Sequence, residues 1–435
     1  MTATVSEILE FIKLNDVKFI RLAFCDLLGR QKNISIMPDE LERAFCEGVS
    51  FDASAIRGFS SVVNSDLLLI PDPSTLAVLP WRPQQGRVVR FYCDIISPDG
   101  SAFPCDPRGI LKKTISRLGT RGFSCKVGAE CEFYLFKTDE NGNPTRVPLD
   151  YGGYFDVNPL DKGENVRREI CLTLEDMGLK IESSHHEQGP GQNEIDFKFA
   201  DALESADNLL TFKTTVKAVS AQNGLYACFL PKPLPDRSGN GLHINISLYQ
   251  NGKNLFEDDS PIAKSFIAGI LDKAAEMSAF LNPLSNSYER LGVFEAPKYV
   301  SWSHQNRSQL IRIPAAQGEK SRMELRSPDP AANPYLAYAL IIGAGLSGIE
   351  KNLKLPDAVD DNLYNDNINE KYGLKVLPVS LDDAIQLAER SEFVKDCVGD
   401  AAFHKYVSLL RAENDEFVAA PDKNKYFTER FFPVI

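Results

Sequence analysis

The chain predicts an α+β fold of two domains, and three observations carry that expectation. Helical and strand patterns are interleaved irregularly, which argues against a barrel of uniform βα units. A length of 435 residues exceeds one ordinary core and leads to a larger domain with a smaller partner. The turn-rich stretch from Ser97-Pro-Asp-Gly100 to Asp106-Pro107-Arg108 divides the chain near residue 104, giving domains at 1–104 and 105–435.

Within the first part, residues 17–36 read as two alternating strands around a Gly turn, and Val88 to Asp94 as a further strand after a Pro-rich stretch. Asp106 stands as an N-cap with Pro107 at the first helical position. Helical patterns then cover Gly109–Leu118, Glu164–Met177, Ala202–Gln222 and Pro261–Asn282. From about Asp357 the chain is loop-rich, and it is helical again from Leu381 to Asn414. Gly343-Ala-Gly-Leu-Ser-Gly348 matches GxGxxG, yet it follows the capped helical pattern from Asn333 and not a strand, so its small residues are assigned to helix packing. No Walker A sequence is present.

Composition narrows the class. Hydrophobic residues make up 43% and charged residues 25%, as in a soluble globular protein. No apolar run approaches the roughly 20 residues of a membrane span, and the N-terminus lacks a basic and apolar leader, so a cytoplasmic location is expected. Nine cysteines without CxxC pairs point to reduced thiols, not to a disulfide frame or a zinc site. A net charge of -12 excludes a general nucleic-acid binder, so an anionic substrate must meet a local positive patch.

The acids are placed for chemistry. Glu130 and Glu132 lie two apart in a strand pattern and share a face. Glu187 and Glu194 bracket the turn triplet Gly189-Pro190-Gly191. Alternation returns around His243 and around Glu324. If these polar faces line one cavity, five carboxylates and an imidazole repel unless cations intervene, and oxygen-rich ligands suit magnesium or manganese. Arg290, Arg307, Arg312, Arg322 and Arg326 supply the clustered guanidinium groups that grip carboxylate and phosphate. Metals with clustered arginines suggest phosphoryl transfer from a nucleotide.

These residues resemble the type I glutamine synthetases, of the shorter, non-adenylylated subtype. The motifs fall in order: Phe51-Asp52-Ala-Ser-Ala-Ile-Arg57, Gly128-Ala-Glu-Cys-Glu-Phe, Ser184-His-His-Glu187 with Pro190-Gly-Gln-Asn-Glu194, Pro231-Lys-Pro, Asn306-Arg-Ser with Ile311-Arg-Ile-Pro314, and Glu324-Leu-Arg-Ser-Pro-Asp-Pro330. The resemblance implies a small N-terminal β-grasp domain and a large C-terminal catalytic domain, whose antiparallel sheet forms an active-site funnel flanked by helices. It implies a dodecamer of two hexameric rings with sites shared between subunits. It also implies ligation of ammonia to the γ-carboxylate of L-glutamate with ATP, through γ-glutamyl phosphate.

By position, the resemblance assigns one metal to Glu132, Glu187 and Glu194 and another to Glu130, His243 and Glu324. Arg290, Arg326, Gly239, His243 and Glu295 fall to glutamate. Glu182, Ser247, Arg307, Arg312 and Arg322 fall to the nucleotide. Asp52 is the expected ammonium binder, with Glu295 on a flap and Arg307 completing catalysis. Arg57 matches a position linked to glutamine feedback. Three departures surround the substrate: Ala53 and Ala55 replace Gly and Ser, Ser238 replaces Asn before Gly239, and the flap 290–295 is one residue shorter. They leave a γ-glutamyl ligase for a larger amine, such as a polyamine, as the alternative.

Overall fold

The computed structural model describes residues 4–258, 260–365 and 367–435, without the side chain of Asn369. Residues 1–3, on which the expectation about the N-terminus falls, lie outside the described residues.

Helix α1 (Val5–Leu14) begins with a reciprocal cap between Thr4 and Glu7. It leads into β1 (Val17–Cys25) and β2 (Gln31–Ile36), the expected antiparallel hairpin. After α2 (Leu41–Glu47), strands β3 (Val49–Asp52), β4 (Asp66–Pro71), β5 (Ala77–Val78) and β6 (Arg87–Ile96) complete a six-stranded sheet of order β2-β1-β6-β4-β3, with β5 on β6. The β1–β6 pair is parallel, and the other pairs are antiparallel.

The second layer is larger. It contains α3 (Pro107–Thr120), β7 (Phe123–Thr138), β8 (Pro144–Pro148), α4 (Glu164–Asp176), β9 (Ile181–His186), β10 (Gln192–Phe197), β11 (Ala200–Asp201), α5 (Ala202–Gln222), β12 (Leu225–Cys228), β13 (Leu242–Gln250) and β14 (Lys253–Asn254). It continues through α6 (Pro261–Leu281), α7 (Ser287–Arg290), β15 (Trp302–His304), β16 (Ile311–Ile313), β17 (Met323–Leu325), α8 (Pro334–Glu350) and α9 (Ile368–Tyr372). The central path of this sheet runs β15-β16-β17-β13-β7-β10-β9 and is antiparallel apart from the β15–β16 pair.

Sequence signals explain the helix starts. Asp106 accepts from Arg108 N and opens α3, and Asn333 accepts from Tyr335 N and opens α8. The GxGxxG segment lies inside α8, where a Cβ on Gly348 would stand 2.7 Å from the Gly269 Cα of α6. The glycines therefore let two buried helices touch. The single helical stretch expected from Leu381 to Asn414 is divided into α10 (Leu381–Glu389), α11 (Glu392–Val398) and α12 (Asp400–Ala419), followed by α13 (Lys423–Arg430). Ser391 caps α11, and Gly399 breaks the run with a φ of 84° that favours glycine.

Two contacts lock the sheets together. Gly29 in the β1–β2 turn approaches Asn333 so closely that a Cβ would meet its Cα at 2.9 Å, and Asn333 Nδ2 donates to the Asp26 carbonyl at 3.0 Å. Arg108 reaches across the junction with bonds to Asp72 (2.8 Å), Asp94 (2.7 Å) and Asp207 (3.0 and 3.1 Å). Among the described residues no helix is long and apolar enough to cross a membrane.

Candidate active site

Strand register builds the site. Antiparallel pairing sets Glu132 of β7 opposite Glu194 of β10, and Glu194 opposite His185 of β9. One step along, Glu130 stands between Asp196 and His243. On the far side, Glu324 of β17 stands opposite Asn245 and Arg312. Because side chains alternate at period two, these groups share one face. That face opens into a funnel of about 660 Å³.

Glu130, Glu132, Glu187, Glu194 and His243 line the funnel. Glu324 is fully buried beside it, with Oε1 3.6 Å from His243 Nδ1. Three of the donor groups whose ligand atoms lie within 4.8 Å of one another bear on the expected metals: Glu130 with His243 and Glu324, Glu132 with Glu194 and His243, and His185 with Glu187 and Glu194. The first is the triad expected for one metal. The members of the second expected set are split between the other two groups, which share Glu194.

Like charges directly opposite each other in a sheet are unfavourable. Burial, then Asp196 and Glu132, pushes Glu194 well above the usual carboxylate range. Burial and Glu187 raise Glu132, and burial with Glu130 raises Asp196 to about 6. Glu130 goes the other way: burial opposes ionisation, but His243 and Asn245 outweigh it and bring the group to about 2. Glu324 is likewise held down against burial by Arg326, and it accepts from both Arg326 and Arg312. A cluster that keeps protons on some acids because too many negative charges meet is suited to hard divalent cations. The oxygen donors with a single imidazole suit magnesium or manganese.

Arg290, Arg307, Arg312, Arg322 and Arg326 all line the same funnel. Arg290 is buried and donates to the carbonyls of Ser327 (2.8 Å) and Arg326 (3.1 Å). Arg322 Nε donates to Asn245 Oδ1 at 2.8 Å, and Asn245 Nδ2 donates to Glu130 at 2.9 Å, so one amide joins an arginine to an acid. Gly239 is at the wall, and nearby Gly241 is closely approached by side-chain ends. A Cβ there would meet Arg290 Nη2 and His243 Nε2, each at 2.8 Å.

Glu295 also lines the funnel, on a turn where Phe294 and Glu295 both take positive φ, 48° and 67°. Such backbone is strained for residues with a side chain and is held by its surroundings. Here the ring of Phe294 lies 4.4 Å from Lys232 Nζ.

The remaining expected residues stand apart from the funnel lining. Glu182 is exposed and pairs with Lys320 at 3.3 Å, while buried Ser247 donates to the Ser321 carbonyl at 3.1 Å. Both therefore meet the segment around 318–321. Asp52 is exposed at the end of β3 and accepts from Ser54 N (2.8 Å) and Oγ (2.6 Å), which lower its pKa. Arg57 pairs with Glu413 of α12 at 3.2 Å.

Several lining residues escape a reading of motifs. Asp196 and His185 are signalled by period two from Glu194 and Glu187, respectively. Tyr154 and Phe155 carry no such signal: they lie in a loop, stack on each other at 4.0 Å and flank His185 at 5.6 and 4.8 Å. That loop is clipped on by buried His186, whose Nε2 is 2.9 Å from Asp150 and whose Nδ1 is 2.7 Å from the Glu187 carbonyl. With acceptors on both nitrogens, the ring is favoured in its charged form: burial alone would lower its pKa, but Asp150 and the carbonyl raise it.

Comparison with known proteins follows the same outline. Residues 16–98 match the family model described as glutamine synthetase, beta-Grasp domain, and residues 104–428 match glutamine synthetase, catalytic domain. A glutamine synthetase of Methanosarcina mazei is 48% identical over 425 residues, covering 96% of this chain and 95% of the relative. One of Clostridium saccharobutylicum is 45% identical, covering 95% and 96%. A solved GmaS/ADP complex superposes with a TM-score of 0.88 at 32% identity, covering 98% of this chain and 99% of the other. Plasmodium falciparum glutamine synthetase gives 0.87 at 27% identity, with 99% of each chain covered.

Proposed function

The chain belongs to the glutamine synthetase family, and on that premise we propose how its own residues divide the work of the reaction. The enzyme is a glutamate–ammonia ligase that uses ATP and a divalent metal, magnesium or manganese, to join ammonia to the γ-carboxylate of L-glutamate. The observation that carries the division of roles is the meeting of five carboxylates, His243 and five arginines at one funnel.

Glu130, His243 and Glu324 would hold one cation, and Glu132, Glu187 and Glu194 a second, with His185 beside them. Divalent cations bound there would offset the charge of the acids and of the phosphates. Arg307, Arg312 and Arg322 bind phosphate oxygens, and Glu182 and Ser247 contact the nucleotide through the wall around 318–321. Arg290 and Arg326 grip the carboxylates of glutamate, with Gly239 at its amino-acid end. The γ-carboxylate of glutamate attacks the γ-phosphorus of ATP, releasing ADP and giving γ-glutamyl phosphate, and ammonia then displaces phosphate from the acyl carbon. Asp52 binds ammonium and takes its proton. Glu295 closes over the intermediate, keeps water out and accepts a proton from the tetrahedral adduct.

In this reading the N-terminal domain ends near residue 104, and the enzyme is a dodecamer of two hexameric rings. Support comes from Asp52, which is exposed and outside the funnel of its own chain, and from exposed Val62 and Val63 nearby, each 83% accessible. A cytoplasmic location is supported by nine free thiols. Phosphate release from ATP, glutamate and magnesium, with ammonium or putrescine as sole acceptor, tests the assignment. Turnover with ammonium is expected, and turnover with putrescine alone would reject it.

A further inference from the structure

A second cavity, of about 400 Å³, lies where the β1–β2 turn, α5 and α12 meet, and it shares no lining residue with the funnel. Its volume falls in the range of roughly 300–1,000 Å³ that holds small molecules. Four cationic side chains line it, Arg30, Lys32, Lys213 and Lys217, against one acidic side chain, Glu413. In a chain of net charge -12 this is a local reversal of sign.

The charges are poorly compensated. Lys213 and Lys217 are four apart on α5, a spacing that brings like charges together. Each ammonium donates to a backbone carbonyl, Lys213 to Pro330 at 2.7 Å and Lys217 to Val434 at 3.0 Å. Lys32 lies 3.8 Å from Asp26, but among the described residues Lys213, Lys217 and Arg30 make no ion pair, and Glu413 is already engaged by Arg57 at 3.2 Å. Burial, then repulsion from Lys213, lowers Lys217 to about 8, so the ammonium is short of an anion while still charged at neutral pH. The rest of the wall is apolar, including Leu210, Leu284, Tyr406 and Leu410. Burying uncompensated charge is unfavourable, and an anion that fills the space relieves it.

We propose that this cavity is a binding site for a small organic anion with an acid head and an apolar body, its head on Lys213, Lys217 and Arg30 and its body among the leucines. An anion there joins the N-terminal hairpin turn to two helices of the catalytic layer.

Calorimetric titration of the full chain with hexanoate, 1-hexanol and inorganic phosphate tests the proposal, using wild type, Lys217→Met and Arg326→Met. Hexanoate is expected to bind wild type and Arg326→Met alike, and at least tenfold more weakly to Lys217→Met, with glutamine formation by Lys217→Met unchanged. Hexanol and phosphate each lack one half of the ligand and bind at least tenfold more weakly. Equal binding by Lys217→Met, loss in Arg326→Met, or parity of hexanol or phosphate with hexanoate overturns it. If Lys217→Met does not fold, acetylation of Lys217 in wild type is read by mass spectrometry with and without hexanoate. Protection supports the site, and unchanged labelling overturns it.

Discussion

Glu132 and Glu194 face each other directly across the antiparallel register of β7 and β10. The two carboxyls are both raised in pKa, first by burial and then by neighbouring acids. A group raised in this way favours the fold while protonated, and that contribution is lost as pH rises through its folded value. With metal chelated, the melting temperature is expected to fall as pH climbs from the ordinary carboxylate range of about 4 through the value of about 6 at Asp196. Magnesium should flatten the fall, and Glu194→Gln should reduce it in chelator while abolishing turnover. Scanning fluorimetry across pH reads this, and a rise over that window in chelator would contradict the charge argument.

In the proposed assignment Asn245 orients the metal ligand Glu130 and does not itself bind metal. It holds Glu130 at 2.9 Å and Arg322 at 2.8 Å. Asn245→Ala should weaken magnesium activation by about 10- to 100-fold, as for other residues that steer a ligand. The activation constant for magnesium measures it, with Asn245→Asp expected to behave no better because it adds charge beside Glu130.

Gly241 separates Arg290, His243 and Glu132. A Cβ would stand 2.8 Å from the first two and 3.1 Å from the third. Gly241→Ala should therefore raise the KM for glutamate at least tenfold and leave the unfolding midpoint within a few degrees. Wild-type kinetics for this variant would remove the close approach from the account.

Arg108 pairs with Asp72, Asp94 and Asp207 at the junction of the two domains while only 3% exposed. Removing one partner from a buried pair strands the others, so Arg108→Met should cost about 3–5 kcal/mol of stability. Urea unfolding measures the loss, and a change under 1 kcal/mol would mean that water already screens the acids.

The placement of Asp52 predicts complementation between chains. Asp52→Ala and Glu324→Gln should each be inactive alone. Refolded together in equal amounts, they should regain activity at about a quarter of sites if each site takes Asp52 from a neighbour. No recovery from verified mixed oligomers would place the whole site within one chain.

Much of the site was legible in the linear sequence because strand periodicity is local. Two acids at i and i+2 share a face in any strand, so Glu130 and Glu132 could be paired without coordinates, and the N-caps Asp106 and Asn333 announced their helices in the same way. Asp196 was equally readable by that rule from Glu194. The aromatic pair Tyr154 and Phe155 was not, since irregular loops have no period and this one is positioned by the buried His186–Asp150 contact.

Residue types and their spacing thus determined which groups bear charge, which faces they share and where the helices begin. Tertiary structure alone decided which strands become neighbours, and with that the meeting of Glu132 with Glu194, of Glu130 with His243 and of five arginines from a 37-residue stretch at one funnel. The physical reason is that register between distant strands comes from burying whole faces together, a sum over many side chains that no local pattern contains.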